Sequence, residues 1–246
     1  MKNNKSLGQH WLKNRAILDE IAELLDAPAS ALCIEIGPGL GTLTSSLLKR
    51  FNKVLAIEYD ARLAANLPGS FPGKNLEVLN TDILDFDFNS IKENYVVAGN
   101  IPYYITSPII EKLLTTQNPA SKIVLLIQKE VAERIASDKE TVLSLMVKNF
   151  ADVELGHVVK REEFTPPPKV DSQVIILTPH APTAQPAVLD FIKKAFASPR
   201  KKLTHNLASL KTKPELAKIL KDLGLNENSR PADLHLKDYI NLYHKI

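Results

Sequence analysis

The chain has 246 residues, 44% of them hydrophobic and 24% charged, with one cysteine and a formal net charge of +3. This is an ordinary globular composition, which excludes collagen-like, coiled-coil and disordered classes. The lone Cys33 permits no internal disulfide, no His/Cys group has the spacing of a metal site, and no apolar run reaches the roughly 20 residues of a membrane span.

The chain opens on a basic arm, residues 1–15, carrying Lys2, Lys5, Lys13 and Arg15 and no acid. No apolar segment follows it, so it is not a secretory leader and a cytoplasmic protein is expected. Short β-branched runs at 31–36, 53–57, 76–79, 95–98 and 123–127 then alternate with helix-like stretches near 41–50, 61–67 and 107–115. Nearly continuous apolar strands separated by helices predict a doubly wound α/β sheet, covered on both faces, with its ligand at the carboxyl ends of the strands. Cys33 reads as a small core residue of the first run. Runs at 153–159 and 174–177 have no helix between them and are expected to close the sheet as an antiparallel pair.

Three prolines between 178 and 186 mark a linker. Beyond it, 186–196, 201–210, 214–223 and 232–244 show apolar spacing of three and four, with Gly224 as a helix stop, and predict a small helical domain over 187–246 behind a sheet domain over 1–180. Charge divides similarly. Residues 181–246 hold 12 Lys and Arg against 6 Asp and Glu, whereas 1–180 hold 19 against 22. A basic arm and a basic tail around a slightly acidic body suggest a polyanionic partner.

The chemistry is carried by residues at the ends of the strands. Glu35-Ile36-Gly37-Pro38-Gly39-Leu40-Gly41-Thr42 ends the first run with a glycine turn that lets backbone approach a ligand and opens a helix N-terminus. A dinucleotide fingerprint wants Gly or Ala at the position of Thr42. Glu35 suits an ammonium group better than a pyrophosphate, so a ligand with both amine and carboxylate, such as the methionine end of S-adenosylmethionine, fits Glu35, Gly37, Gly39 and Gly41. Glu58, 17 residues past Gly41, is placed to accept ribose hydroxyls. Asp82 can accept from an adenine amino group. Asn100-Ile101-Pro102-Tyr103 ends the fourth run. The lone pair of an adenine N6 is delocalised into the ring, and two acceptors that hold its hydrogens out of plane favour attack on a methyl group. The Asn100 side-chain oxygen and the Ile101 carbonyl are such acceptors, Pro102 stiffens the turn, and Tyr103 offers a face on which a base stacks. Phe164, ahead of the stiff Thr165-Pro166-Pro167-Pro168 segment, is a second candidate face.

Together these motifs resemble the ribosomal RNA adenine N6,N6-dimethyltransferases. The resemblance runs from Lys5-Ser6-Leu7-Gly8-Gln9-His10-Trp11-Leu12, similar to an arm that closes over the cofactor, through the strand-end motifs, 128–134 and 164–172, to Pro199-Arg200-Lys201-Lys202-Leu203-Thr204-His205-Asn206-Leu207. It implies a Rossmann-like class I methyltransferase sheet with a small all-helical C-terminal domain, S-adenosylmethionine as cofactor, and dimethylation of two adjacent adenosines in a hairpin loop near the 3′ end of small-subunit (16S) rRNA. It also implies that His10, Leu12, Gly37, Glu58, Asp82 and Asn100 line the cofactor. Lys5, Arg200, Lys201 and Lys202, with Lys193 and Lys194, are the candidate RNA contacts, and the immature small subunit is the expected partner of a monomer. Trp11 stands where the family usually has Phe, Tyr104 where a small polar residue is common, and 135–143 is shorter than usual. The Asn100 motif also suits N6-adenine methyltransferases of DNA or large-subunit rRNA, while 200–207 favours the small subunit. A factor of another class, acting in subunit assembly mainly by binding, is the remaining alternative.

Overall fold

The structure is a computed structural model and describes residues 9–246. Lys5 lies outside the described residues. The chain forms two compact units, one up to Ala132 together with Asp152–Pro179, the other Glu133–Ala151 together with His180–Ile246. No helix among the described residues is long and apolar enough to cross a membrane.

In chain order the elements are β1 (Trp11–Leu12), α1 (Arg15–Leu24), β2 (Leu32–Ile36), α2 (Thr42–Arg50), β3 (Lys53–Glu58), α3 (Ala61–Asn66), β4 (Leu76–Asn80), β5 (Tyr95–Asn100), α4 (Thr106–Thr115), β6 (Lys122–Gln128), α5 (Lys129–Ala136), α6 (Val142–Phe150), β7 (Ala151–Val159), β8 (Phe164–Thr165), β9 (Ser172–Pro179), α7 (Pro186–Ala195), α8 (Leu203–Asn206), α9 (Lys213–Asp222) and α10 (Leu236–Lys245). Seven strands make one sheet in the order β4-β3-β2-β5-β6-β9-β7. Strands β4 to β6 pair in parallel, and β9 runs antiparallel to β6 with Ser172 opposite Gln128. All seven expected runs are strands, and β7 and β9 close the sheet as neighbours. The central strands β2, β3, β5, β6 and β9 are buried on both faces. Cys33, Val54, Val96, Ala98, Val124, Leu126, Val174 and Ile176 pack with Ile17, Leu18 and Ile21 of α1 and Leu43 and Leu47 of α2. The alternate residues Ile34, Leu55, Val97, Ile123 and Leu125 are equally buried. Two-sided burial explains why these strands read as continuous apolar runs rather than alternating ones.

Helix α1 went unread in the sequence. It begins where the Asn14 side chain accepts from the Ala16 and Ile17 amides, and it buries Ile17, Leu18, Ile21 and Ala22 at spacings of three and four. The basic arm therefore ends in a helix that belongs to the core. Ahead of α1, β1 pairs antiparallel with β8, placing Trp11 opposite Thr165 and Leu12 opposite Phe164.

The second unit corrects the expected domain boundary. It does not start at 187 but takes in 133–151 from the middle of the chain. Leu145 of α6 lies in one core with Val188, Phe191, Leu203, Leu216, Tyr239 and Leu242. The fully buried Asn149 accepts from the Ala184 amide at 2.6 Å, and the Thr183 amide donates to the Asn149 carbonyl. The proline-marked linker is thus strapped to α6 instead of hanging free. Two expected helices are trimmed. Residues 201–210 hold only the four-residue α8, and α10 starts at Leu236 because a capping box between His235 and Asp238 sets its beginning. Gly224, at φ +72°, ends α9 as expected.

Candidate active site

The strand order reverses between β2 and β5, so the loops leaving these two strands diverge and open a crevice at their carboxyl ends. A cavity of about 290 Å³ lies there, lined from the loops after β2, β3, β4 and β5 and from the arm. Two glycines make the geometry possible. Gly39 sits at φ +58°, and a β-carbon on it would lie 2.8 Å from the Trp11 indole nitrogen. At Gly99 a β-carbon would lie 2.9 Å from the Ile36 carbonyl, so only glycine lets β5 run this close to β2 at the mouth.

The acids differ in how they are held. Glu58 is the last residue of β3 and 6% exposed; its two oxygens accept from the backbone amides of Gly39 at 3.0 Å and Asp60 at 2.8 Å. It therefore clamps the glycine turn to β3. Burial pushes its pKa up, and the two amides oppose that shift. Glu35 is 1% exposed inside β2 and lines the same cavity, yet its Oε2 has no hydrogen-bond partner. Burial, with the Glu58 charge adding to it, pushes Glu35 up to about 8. Asp82 follows β4, accepts from the Leu84 amide at 2.9 Å, and lines the cavity too.

Asn100 ends β5. Its Nδ2 donates to the His10 carbonyl at 2.8 Å, which fixes the amide plane and leaves Oδ1 as an acceptor. The His10 Nδ1 donates to the Pro166 carbonyl at 2.7 Å, and the His10 ring lies parallel to Tyr103, with centroids 6.1 Å apart. The Tyr103 hydroxyl shares a 2.7 Å hydrogen bond with Ser172 Oγ, while burial raises its pKa. The arm, the Asn100 turn and the 164–172 segment are thus joined through His10 and Tyr103.

The structure brings His10, Glu35, Gly37, Gly39, Glu58, Asp82, Asn100, Ile101, Pro102 and Tyr103 to one cavity. Three expected members stand outside its lining. Leu12 and Phe164 are buried core side chains facing each other across the β1–β8 pair, so neither offers a surface to a base or a cofactor. Gly41, at φ +81°, caps α2. The sequence reading assigned no role to Tyr59, Thr81 and Tyr104, which also line the cavity. The available signal for Tyr59 and Thr81 was an uncharged side chain directly beyond a polar strand end; Tyr104 lies four residues beyond Asn100. Arg200, Lys201 and Lys202 are exposed in the turn before α8, with Lys193 and Lys194 exposed in the last turn of α7; Lys202 donates to the Asn228 side-chain oxygen at 2.5 Å, and Lys193 lies 3.7 Å from Asp190.

Comparisons with known proteins identify the family. The model of the ribosomal RNA adenine dimethylase family matches residues 1–246. A ribosomal RNA small subunit methyltransferase A of Picosynechococcus sp. is 38% identical, covering 100% of this chain and 98% of its own. A protein of the same name from Mycoplasma capricolum subsp. capricolum is 34% identical with the same coverage. Among solved structures, the 23S rRNA methyltransferase ErmE superposes with a TM-score of 0.79 at 26% identity, covering 96% of this chain and 98% of that one. A dimethyladenosine transferase from Plasmodium falciparum gives 0.78 at 29% identity, over 94% and 95%. Matched over its whole length by the family model and by relatives above 30% identity, the chain belongs to the ribosomal RNA adenine dimethylase family.

Proposed function

We propose that the protein uses S-adenosylmethionine to dimethylate N6 of two adjacent adenosines in a hairpin loop near the 3′ end of small-subunit (16S) rRNA, acting as a cytoplasmic monomer on the immature small subunit. The observation that carries this reading is the sharing of one cavity by Asn100, with its free acceptor oxygen, and Glu35, with its unpartnered buried oxygen. A buried carboxylate without a partner is costly, and a ligand ammonium would complete it. Glu58 keeps a lone pair on each oxygen beside its backbone amides and is disposed toward ribose hydroxyls; Asp82 suits an adenine amino group. The residues therefore fit the cofactor, which when bound supplies an electrophilic methyl group on a sulfonium.

The protein's own residues do the rest by positioning. The Asn100 Oδ1 and the Ile101 carbonyl accept the two N6 hydrogens and hold them out of the ring plane, which localises the nitrogen lone pair. Tyr103, pinned by Ser172 on its hydroxyl and by His10 on one face, presents its other face to the base. N6, made acidic on alkylation, would release its proton to water, so no strong base is required of the protein. Arg200, Lys201, Lys202, Lys193, Lys194 and Lys5 contact phosphates and set orientation without reading sequence. The small subunit is favoured over the large because the relatives at 34–38% identity carry the small-subunit name, whereas the large-subunit enzyme stands at 26%.

The test is transfer of labelled methyl to small subunits lacking dimethyladenosine, to large subunits and to duplex DNA, followed by nucleoside analysis. Dimethyladenosine in small subunits alone is expected; label in either other substrate overturns the target. A Glu58→Ala protein that binds immature subunits without methylating them would separate an assembly role from catalysis.

A further inference from the structure

Seven large apolar side chains are exposed among the described residues, and five of them stand on one edge of the sheet. Leu40 follows β2, Tyr59 follows β3, Leu84 follows β4 and Tyr104 follows β5. Val170 precedes β9, whose Ser172 lies opposite Gln128 at the carboxyl end of β6. Two of the five, Tyr59 and Tyr104, line the cavity. This edge is selective, because the polar loops at the other edge carry no such residues. Tyr59 and Tyr104 are each 63% exposed, with no side-chain hydrogen bond and no ring partner among the described residues; Tyr104 is the one of the two on the loop that follows Asn100. Its neighbours are all occupied: Ile101 is buried, Tyr103 is tied to Ser172, and Thr106 is buried in the first turn of α4. Tyr104 sits in the turn Tyr103–Ile105, and its ring is exposed on the loop that follows Asn100.

We propose that Tyr104 is a second stacking platform, taken by the base adjacent to the target adenine in a single-stranded RNA segment, and that it helps to set which unstacked loop the site accepts. The inference rests on the reading of this cavity as a methyltransferase site for RNA adenine. The occupant follows from placement. Tyr104 lies on the loop after β5, four residues past Asn100, the group that holds N6, whereas the cofactor acids Glu35 and Glu58 lie within β2 and at the end of β3. An aromatic plane beside the entrance meets the next base of an unpaired strand, whose faces are apolar and whose phosphates are carried by basic residues elsewhere. A base stacked on one aromatic ring strengthens binding by roughly 5- to 150-fold.

The experiment compares wild type with Tyr104→Phe, Tyr104→Leu and Tyr104→Ala in methyl transfer to small subunits lacking dimethyladenosine. Cofactor binding is followed separately by the fluorescence of Trp11, the chain's one tryptophan, which lines the cavity. The expected result is a KM for subunits raised about 10-fold or more in the Ala and Leu variants. The Phe variant should stay near wild type, with kcat, melting temperature and cofactor affinity unchanged throughout. An unchanged KM in the Ala variant overturns the proposal. Weakened cofactor binding with an unchanged KM for subunits would assign the ring to the cofactor and overturn it equally. Wild-type protein that binds cofactor but labels no small subunit would instead refute the underlying reading, and the proposal with it.

Discussion

Each unit of the protein holds a glutamate that is no more than 2% exposed, Glu35 in the first and Glu140 in the second, and the two are treated in opposite ways. In the second unit, Glu140 is 2% exposed and fully engaged. Lys148 Nζ lies 2.8 Å from one oxygen, His235 Nδ1 lies 3.2 Å from the same oxygen, and Ser144 Oγ donates to the other at 2.6 Å. Lys148 also donates to the Ser137 carbonyl, and the Glu140 amide donates to the Ala232 carbonyl. This carboxylate is completed from within and holds 137–148 to the C-terminal helices. In the first unit, Glu35 is 1% exposed with one oxygen unpartnered at the wall of a cavity. Burial without compensation is tolerated where a ligand supplies the missing charge, so the unsatisfied acid marks the working site and the satisfied one marks architecture.

Four substitutions would break or sharpen that contrast. Asn100→Ala removes the positioned acceptor and is expected to lower kcat for methyl transfer by about 100-fold or more, with little change in cofactor affinity by Trp11 fluorescence. A loss of less than threefold would remove Asn100 from that role. Lys148→Met strands the Glu140 charge. It should destabilise the protein by on the order of 3 kcal/mol in denaturant melts, at the low end for a buried pair because Lys148 remains 28% exposed. An unchanged midpoint would show that Glu140 needs no internal cation.

Glu35 yields a pH dependence. With its pKa near 8, the free protein holds Glu35 protonated at neutral pH, and binding an ammonium requires it ionised. Cofactor binding should therefore release a proton and strengthen by up to about tenfold per pH unit between roughly pH 6 and 8. It should turn over there as the ligand α-amino group, with a pKa of about 7.7–8.0, loses its own charge. Glu35→Gln should flatten the rise. The stability sign is opposite: the penalty for burying Glu35 is absent below its ordinary pKa of 4.5 and complete above about 8. The Gln variant should therefore melt higher than wild type at pH 8 and close to it at pH 4. The smallest effect is that of Lys201→Ala, exposed ahead of α8. It should leave kcat unchanged and reduce the slope of log affinity for small subunits against log salt by about 1.

The strands that build the site were legible as apolar runs, but their polar ends were not legible as strand. The runs stop at Ile57, Leu79 and Ala98, whereas the ladders continue to Glu58, Asn80 and Asn100. Pairing uses the backbone, so a polar residue can occupy the last rung, and that rung is what gives Glu58 and Asn100 a rigid base. Phe164 misled for the complementary reason. An aromatic residue beside a proline loop is equally suited to a base or to a core, and its pairing opposite Leu12 across 152 residues of chain decides for the core. Helix α1 was legible in principle, through Asn14 and the spacing of Ile17, Leu18 and Ile21, but the basic residues of the arm masked that pattern.

By itself the sequence determined the α/β class, the order of the strands along the chain, and the acids, glycines and Asn100 motif at their ends. These signals are local, set by burial on two faces and by the turn chemistry that follows each run. Only the tertiary structure decided that β2 and β5 lie side by side to open the crevice, that His10 joins the arm to Asn100 and Pro166, that one oxygen of Glu35 lacks a partner where both oxygens of Glu140 are engaged, and that 133–151 belongs to the C-terminal unit. Each of these depends on contacts between residues far apart in the chain, and the identity of a side chain does not reveal which distant partner will share its core or leave its charge unmet.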